Sequence, residues 1–148
     1  MTPSTIDLAQ LFARRRPSEL PALALGTMNF GKRTSAAEAE RILARAFELG
    51  VRVFDTANAY VDGESERILG RFTGPLRAEL VIATKVGFGR VSGKPEGLAP
   101  ERIHRAFDES CERLATDYVD LYYLHVPDHE VPVRESLSAI KELLDSRR

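Results

Sequence analysis

Residues 80–86 read LVIATKV: four apolar side chains in succession, then a threonine, a lysine and a valine. A strand with one face in water alternates apolar and polar residues, whereas a strand covered on both faces is apolar almost throughout. Residues 80–86 follow the second pattern. So, more loosely, do residues 21–27 (PALALGT), 51–57 (VRVFDTA) and 118–125 (YVDLYYLH). Helical periodicity fills the intervals. In residues 35–50, SAAEAERILARAFELG, Ser35 and Glu38 form a capping-box pattern. Ala39, Ile42, Leu43, Ala46 and Phe47 make an apolar stripe there, and Gly50 is the expected stop. A shorter helix is predicted over ESERILGRF (64–72), and a third over PERIHRAFDESCERLA (100–115), with proline in its first turn. A fourth covers VRESLSAIKELLDSRR (133–148), where Val133, Leu137, Ile140 and Leu144 share one face.

The order is therefore βαβαβαβα, with strands starting near residues 22, 51, 80 and 118. Such alternation implies a parallel sheet with right-handed crossovers. Two architectures satisfy it: a small doubly wound sheet, or four consecutive units of a (β/α)8 barrel, which is half of one. The extra length before the fourth strand lies in the loop VGFGRVSGKPEGLAP (86–100). Residues 1–20 read as an N-terminal extension, with a short helix over TIDLAQLFARR, and residues 21–148 as one domain.

The chain has 148 residues, 43% of them hydrophobic and 29% charged, and its net charge is -1. That balance gives no footing for nucleic acid, and the RRR at 14–16 reads as a solvated patch. No apolar run approaches the roughly 20 residues needed to cross a bilayer. The first residues lack the order of a secretory signal, so a cytoplasmic location is expected and no membrane partner. Cys111, the only cysteine, falls on the stripe Ile103, Phe107, Cys111, Leu114 and reads as a packed thiol.

Parallel α/β sheets gather reactive groups at the carboxyl ends of their strands. Here those ends carry Gly26, Thr27, Met28 and Asn29 after the first strand, and Asp55 with Tyr60 after the second. Lys85 ends the third and His125 the fourth. Singly, each has an ordinary explanation: a turn-starting aspartate, a rim tyrosine, a solvated lysine, a histidine bonded to backbone. Jointly they describe a proton donor. A phenol titrates near ~10, and a neighbouring ammonium makes loss of its proton easier. Asp55 is the natural partner to hold Lys85, and His125 could orient a carbonyl oxygen. A donor so placed serves an oxygen that becomes negative as hydride reaches carbon. None of these groups supplies hydride, so a cofactor must.

The segments GTMNFG (26–31), FDTANAYVDGESERILG (54–70), VIATKVG (81–87) and RLATDYVDLYYLHVPD (113–128) closely resemble the aldo-keto reductase family. The resemblance implies a TIM-type (β/α)8 barrel and NADPH-dependent reduction of aldehydes and ketones to alcohols, with a small carbonyl compound as substrate. It implies Tyr60 as general acid, Lys85 and Asp55 as its tuning pair, and His125 as the group that positions the carbonyl. It places Gly26, Thr27, Met28 and Asp55 near the cofactor. The resemblance ends inside the fourth helix. The chain is accordingly expected to be a truncated family member with little activity alone, its sheet edges open to a second copy or a complementing chain. The alternative reading is a non-catalytic binding or regulatory subunit.

The remaining signals are weaker. GFGRVSGKP fails the phosphate-loop pattern in spacing, and Pro95 stands where Ser or Thr is needed. It is expected to be a long βα loop beside the substrate pocket. Asp128 and His129 read as loop residues rather than metal ligands.

Overall fold

The computed structural model describes residues 23–146; the predicted N-terminal extension and its helix lie outside them. Strands β1 (Ala24–Gly26), β2 (Val53–Asp55), β3 (Val81–Val86) and β6 (Leu121–Leu124) form one parallel sheet in the order β1-β2-β3-β6. The helices between and after them are α1 (Ala36–Glu48), α2 (Glu64–Thr73), α3 (Pro100–Leu114) and α4 (Val133–Asp145).

The strand order decides between the two architectures that the sequence allowed. A doubly wound sheet reverses its order at a switch point. Here each strand lies beside its predecessor. Successive right-handed crossovers then place every helix on the same face. Consistent with this, α1 packs on α2, α2 on α3 and α3 on α4. The result is an arc of a (β/α)8 barrel.

The alternation of side chains across the sheet separates core from site. Leu25, Phe54 and Ile82 share a register row, and Phe54 and Ile82 are fully buried with Leu43, Ile68, Leu69, Ile103 and Phe107. Burying a residue such as Phe54 contributes about 1.5–3 kcal/mol. The other row holds Gly26, Asp55, Ala83 and Leu121, with Lys85 beside Tyr123 one step further along. That face carries no helix among the described residues.

At the start of α1 the predicted capping box is half formed. Ser35 Oγ accepts the Glu38 N–H at 3.3 Å, while the Glu38 carboxylate pairs with Arg41. Gly50, at φ +90°, turns the chain after α1. Gly70 lets α2 cross close against α3, since a Cβ there would meet the Arg113 carbonyl oxygen at 2.4 Å. Cys111 is buried, as its stripe predicts.

Three expectations differ from the structure. The fourth strand begins at Leu121 rather than 118, because the Asp120 side chain accepts the Ile82 N–H at 2.9 Å and replaces a ladder bond. The long loop is not structureless: β4 (Arg90–Val91) and β5 (Lys94–Pro95) pair as a hairpin. The buried face of α4 is Ser136, Ala139 and Leu143, whereas Val133 is 69% exposed and Leu137 54%. Of the predicted stripe, Ile140 still packs against the core, while Leu144 is 49% exposed.

Candidate active site

The rim is built on buried hydroxyls. Thr27 Oγ1 donates to the Asp55 carbonyl at 3.0 Å and lies 2.7 Å from Ser65 Oγ. Ser65 Oγ also bonds the Thr27 carbonyl and the Thr56 hydroxyl. These bonds tie the ends of β1 and β2 to the first turn of α2. The Thr27 side chain is thus engaged internally. Gly26 differs: a Cβ there would find no atom within 4 Å, and Met28, two residues on, is exposed.

On this base the four predicted groups converge. Lys85 Nζ donates to Asp55 Oδ1 at 2.5 Å, to the Thr56 carbonyl at 2.7 Å and to the Tyr60 hydroxyl oxygen at 3.3 Å. The Lys85 side chain is 13% exposed and that of Asp55 32%, so the pair is partly withdrawn from water. The Tyr60 ring meets the His125 ring edge-on, centroids 5.8 Å apart. Residues 30, 25 and 65 positions apart in the chain (Asp55 to Lys85, Tyr60 to Lys85, Tyr60 to His125) are thereby brought into contact.

Backbone strain marks the same place. Val61 and Asp62, directly after Tyr60, have φ of 51° and 52° in the left-handed region. For a β-branched residue this is an outlier costing on the order of 1–3 kcal/mol. It holds Tyr60 in a tight turn ahead of α2.

Burial first, and then the Lys85 ammonium, push the His125 imidazole below its ordinary value of about 6.5. Asp55 and Glu96 act in the opposite sense. The native ring therefore releases its proton at a lower pH than the unfolded ring. Between those two values the unfolded chain binds more protons, so stability rises with pH through that window and is lost as pH falls through it. His125→Asn is expected to flatten that part of the stability–pH curve, read from urea midpoints at several pH values. An unchanged slope would show that the imidazole does not carry the effect.

The residues missed from sequence are Asn58, Phe88, Glu96 and Arg102. Phe88 tilts against His125 at 5.2 Å between centroids. Glu96 is buried among donors from three segments. The available signal was a single acidic residue, followed by glycine, in a glycine-rich loop. Asp128 behaves as a loop residue, accepting the N–H groups of Leu98, Glu130 and Val131. Those backbone bonds hold its carboxyl below the usual carboxylate range. Among the described residues no cluster of three His, Cys, Asp or Glu could hold a metal. No described helix is long and apolar enough to cross a membrane.

The profile of the Aldo/keto reductase family matches residues 22–146, and the chain belongs to that family. It is 38% identical over 126 residues to the mouse "Aflatoxin B1 aldehyde reductase member 2", covering 83% of this chain and 33% of that protein. It is 35% identical over 121 residues to a "Probable voltage-gated potassium channel subunit beta" of Arabidopsis thaliana, covering 80% and 37%. An aldo-keto reductase of Bacillus halodurans, solved in its holo form, superimposes with TM-score 0.75 at 36% identity, covering 84% of this chain and 42% of that one. A thermostable aldo-keto reductase in complex with epalrestat gives 0.76 at 33% identity, covering 89% and 48%. The chain thus spans between a third and a half of the length of these relatives.

Proposed function

We infer that this chain carries the proton-donating residues of a carbonyl reductase that uses NADPH to convert aldehydes or ketones into alcohols. The observation that supports it most is the Lys85 ammonium bonded to both Asp55 and the Tyr60 hydroxyl, beside His125. Tyr60 gives its proton to the carbonyl oxygen. Lys85 already donates to the phenol oxygen, so the charge left there meets a positive donor. Asp55 fixes Lys85 in that place. Neutral His125, edge-on to the Tyr60 ring, positions the carbonyl.

The residues present fit one edge of the cofactor. Gly26 leaves open space beside Asp55, whose carboxylate is part-exposed and free to accept a ribose hydroxyl, and Met28 stands at the same rim. When bound, the nicotinamide supplies hydride to the carbonyl carbon.

The test is NADPH oxidation with a generic aldehyde, followed by absorbance. It is run on the purified chain alone and with a polypeptide carrying the family's remaining βα units. Alcohol formed in step with NADPH consumed, in either arm, supports the reading. No turnover in both arms ends it. The likeness to the plant channel subunit favours a second reading, a binding subunit for a membrane protein. Nucleotide-independent capture of a channel's cytoplasmic domain, without turnover, would select it.

A further inference from the structure

The GFG at residues 87–89 has the look of an anion-binding loop, and the structure supplies its anion from within the chain. Glu96 Oε2 accepts the N–H of Gly87 at 2.8 Å and of Gly89 at 3.2 Å. Glu96 Oε1 accepts from Asn58 Nδ2 at 2.7 Å and from Arg102 Nε at 2.9 Å, with Arg102 Nη2 at 2.8 Å. Every neighbour is a donor, so only an ionised carboxylate satisfies all of them. The Glu96 side chain is 2% exposed. Arg102 is in turn held by Glu109 through two further bonds of 3.1 and 2.7 Å.

The two glycines suit this role. Gly87, at φ +107°, has no room for a side chain, since a Cβ would meet Leu98 at 2.5 Å. At Gly89 a Cβ would come within 3.2 Å of Glu96 Oε2 itself. Between them stands Phe88, 62% exposed, its ring against His125. On the opposite oxygen, Asn58 precedes Tyr60 by two residues, and its own N–H bonds the Lys85 carbonyl at 3.2 Å.

The geometry points to Glu96 as a positioning residue that locks the loop carrying Tyr60 to the loop carrying Phe88, and so sets the aromatic wall over His125. It touches none of the reacting groups and acts through Asn58 and the Gly87–Gly89 amides. The inference builds on the proposed reductase reading for its catalytic meaning, but its structural claim can be measured without turnover.

The experiment is NMR of the His125 ring protons in the full chain, at a pH where every imidazole is neutral. His125→Asn assigns the signals. Phe88→Leu, at an exposed position, defines the ring-current contribution of Phe88. Glu96→Gln is expected to move the His125 signals most of the way to their Phe88→Leu positions. Gly89→Ala, which keeps the charge and crowds Oε2, should shift them in the same direction, and it serves if Glu96→Gln does not fold. Glu66→Gln is the control, a second fully buried carboxylate whose hydrogen-bond partners are Thr84 and Arg113 rather than any residue of this loop. It should lower stability yet leave the His125 signals in place. His125 signals unmoved by both Glu96→Gln and Gly89→Ala, or moved equally by Glu66→Gln, would overturn the inference. In whichever arm of the aldehyde assay turns over, Glu96→Gln should lower turnover by on the order of 10²-fold, as expected for a displaced wall. Absence of turnover in the unsubstituted protein would count against the reductase reading alone.

Discussion

Tyr60→Phe is expected to lower aldehyde turnover by about 10²–10⁴-fold in the proposed reaction, the usual contribution of a positioned general acid. The substitution deletes one oxygen. It leaves the ring that meets His125 edge-on and the Lys85 bonds to Asp55 and the Thr56 carbonyl. Folding stability should therefore change by less than about 1 kcal/mol, since one partly exposed hydrogen bond is lost. The informative comparison is kcat against KM. A group that acts on the transition state lowers kcat and kcat/KM together, while loss of ground-state binding alone raises KM. A Tyr60→Phe protein that retains full turnover would remove the phenol from the mechanism, and with it the main support for the reductase reading.

Arg113→Ala is expected to be the most destabilising single truncation on the surface between α2 and α3. Glu66 is completely buried, and its carboxylate is bonded by Arg113 Nε at 2.6 Å and by the Thr84 hydroxyl at 2.5 Å. Removing the guanidinium leaves a buried charge with one neutral donor, a change that typically costs about 3–5 kcal/mol. The Arg113 stem also fills the space beside Gly63, so packing is lost as well. The exposed pair Arg71–Glu40, 50% and 48% accessible, provides the contrast. Arg71→Ala should cost no more than about 1 kcal/mol. Denaturant midpoints of the two variants, compared at equal m-value, measure the difference. Equal midpoints would mean that Glu66 is not held by Arg113.

The two predictions concern residues that were unequally visible in the sequence. Tyr60, Asp55, Lys85 and His125 were legible because each interrupts or follows an apolar run at the same end of a strand. A parallel sheet brings equivalent strand ends together whatever the helices between them do. Glu66 and Arg113 were not legible. They lie 47 residues apart on two helices, each in a charged stretch that reads as solvated surface. Glu96 was hidden for the same reason: its partner Asn58 is 38 residues away, and its glycine amides carry no side chain to advertise them. Asp120 shows how tertiary structure also moves boundaries, by substituting a carboxylate for a backbone acceptor.

The sequence by itself determined the four strands and four helices, their alternation, both ends of α1 and the start of α3, because periodicity, proline, glycine and serine act within a few residues. It also determined which side chains could reach the rim. The tertiary structure alone decided that the sheet is wound in one direction, since strand order depends on which strand each returning helix delivers its chain to. It decided which face α4 turns inward, with Ser136, Ala139 and Leu143 buried, Ile140 at the edge of the core and Val133, Leu137 and Leu144 exposed, because that face is set by where the crossovers lay the helix against α3. And it decided which buried carboxylates are satisfied, since their donors come from segments that only folding makes adjacent.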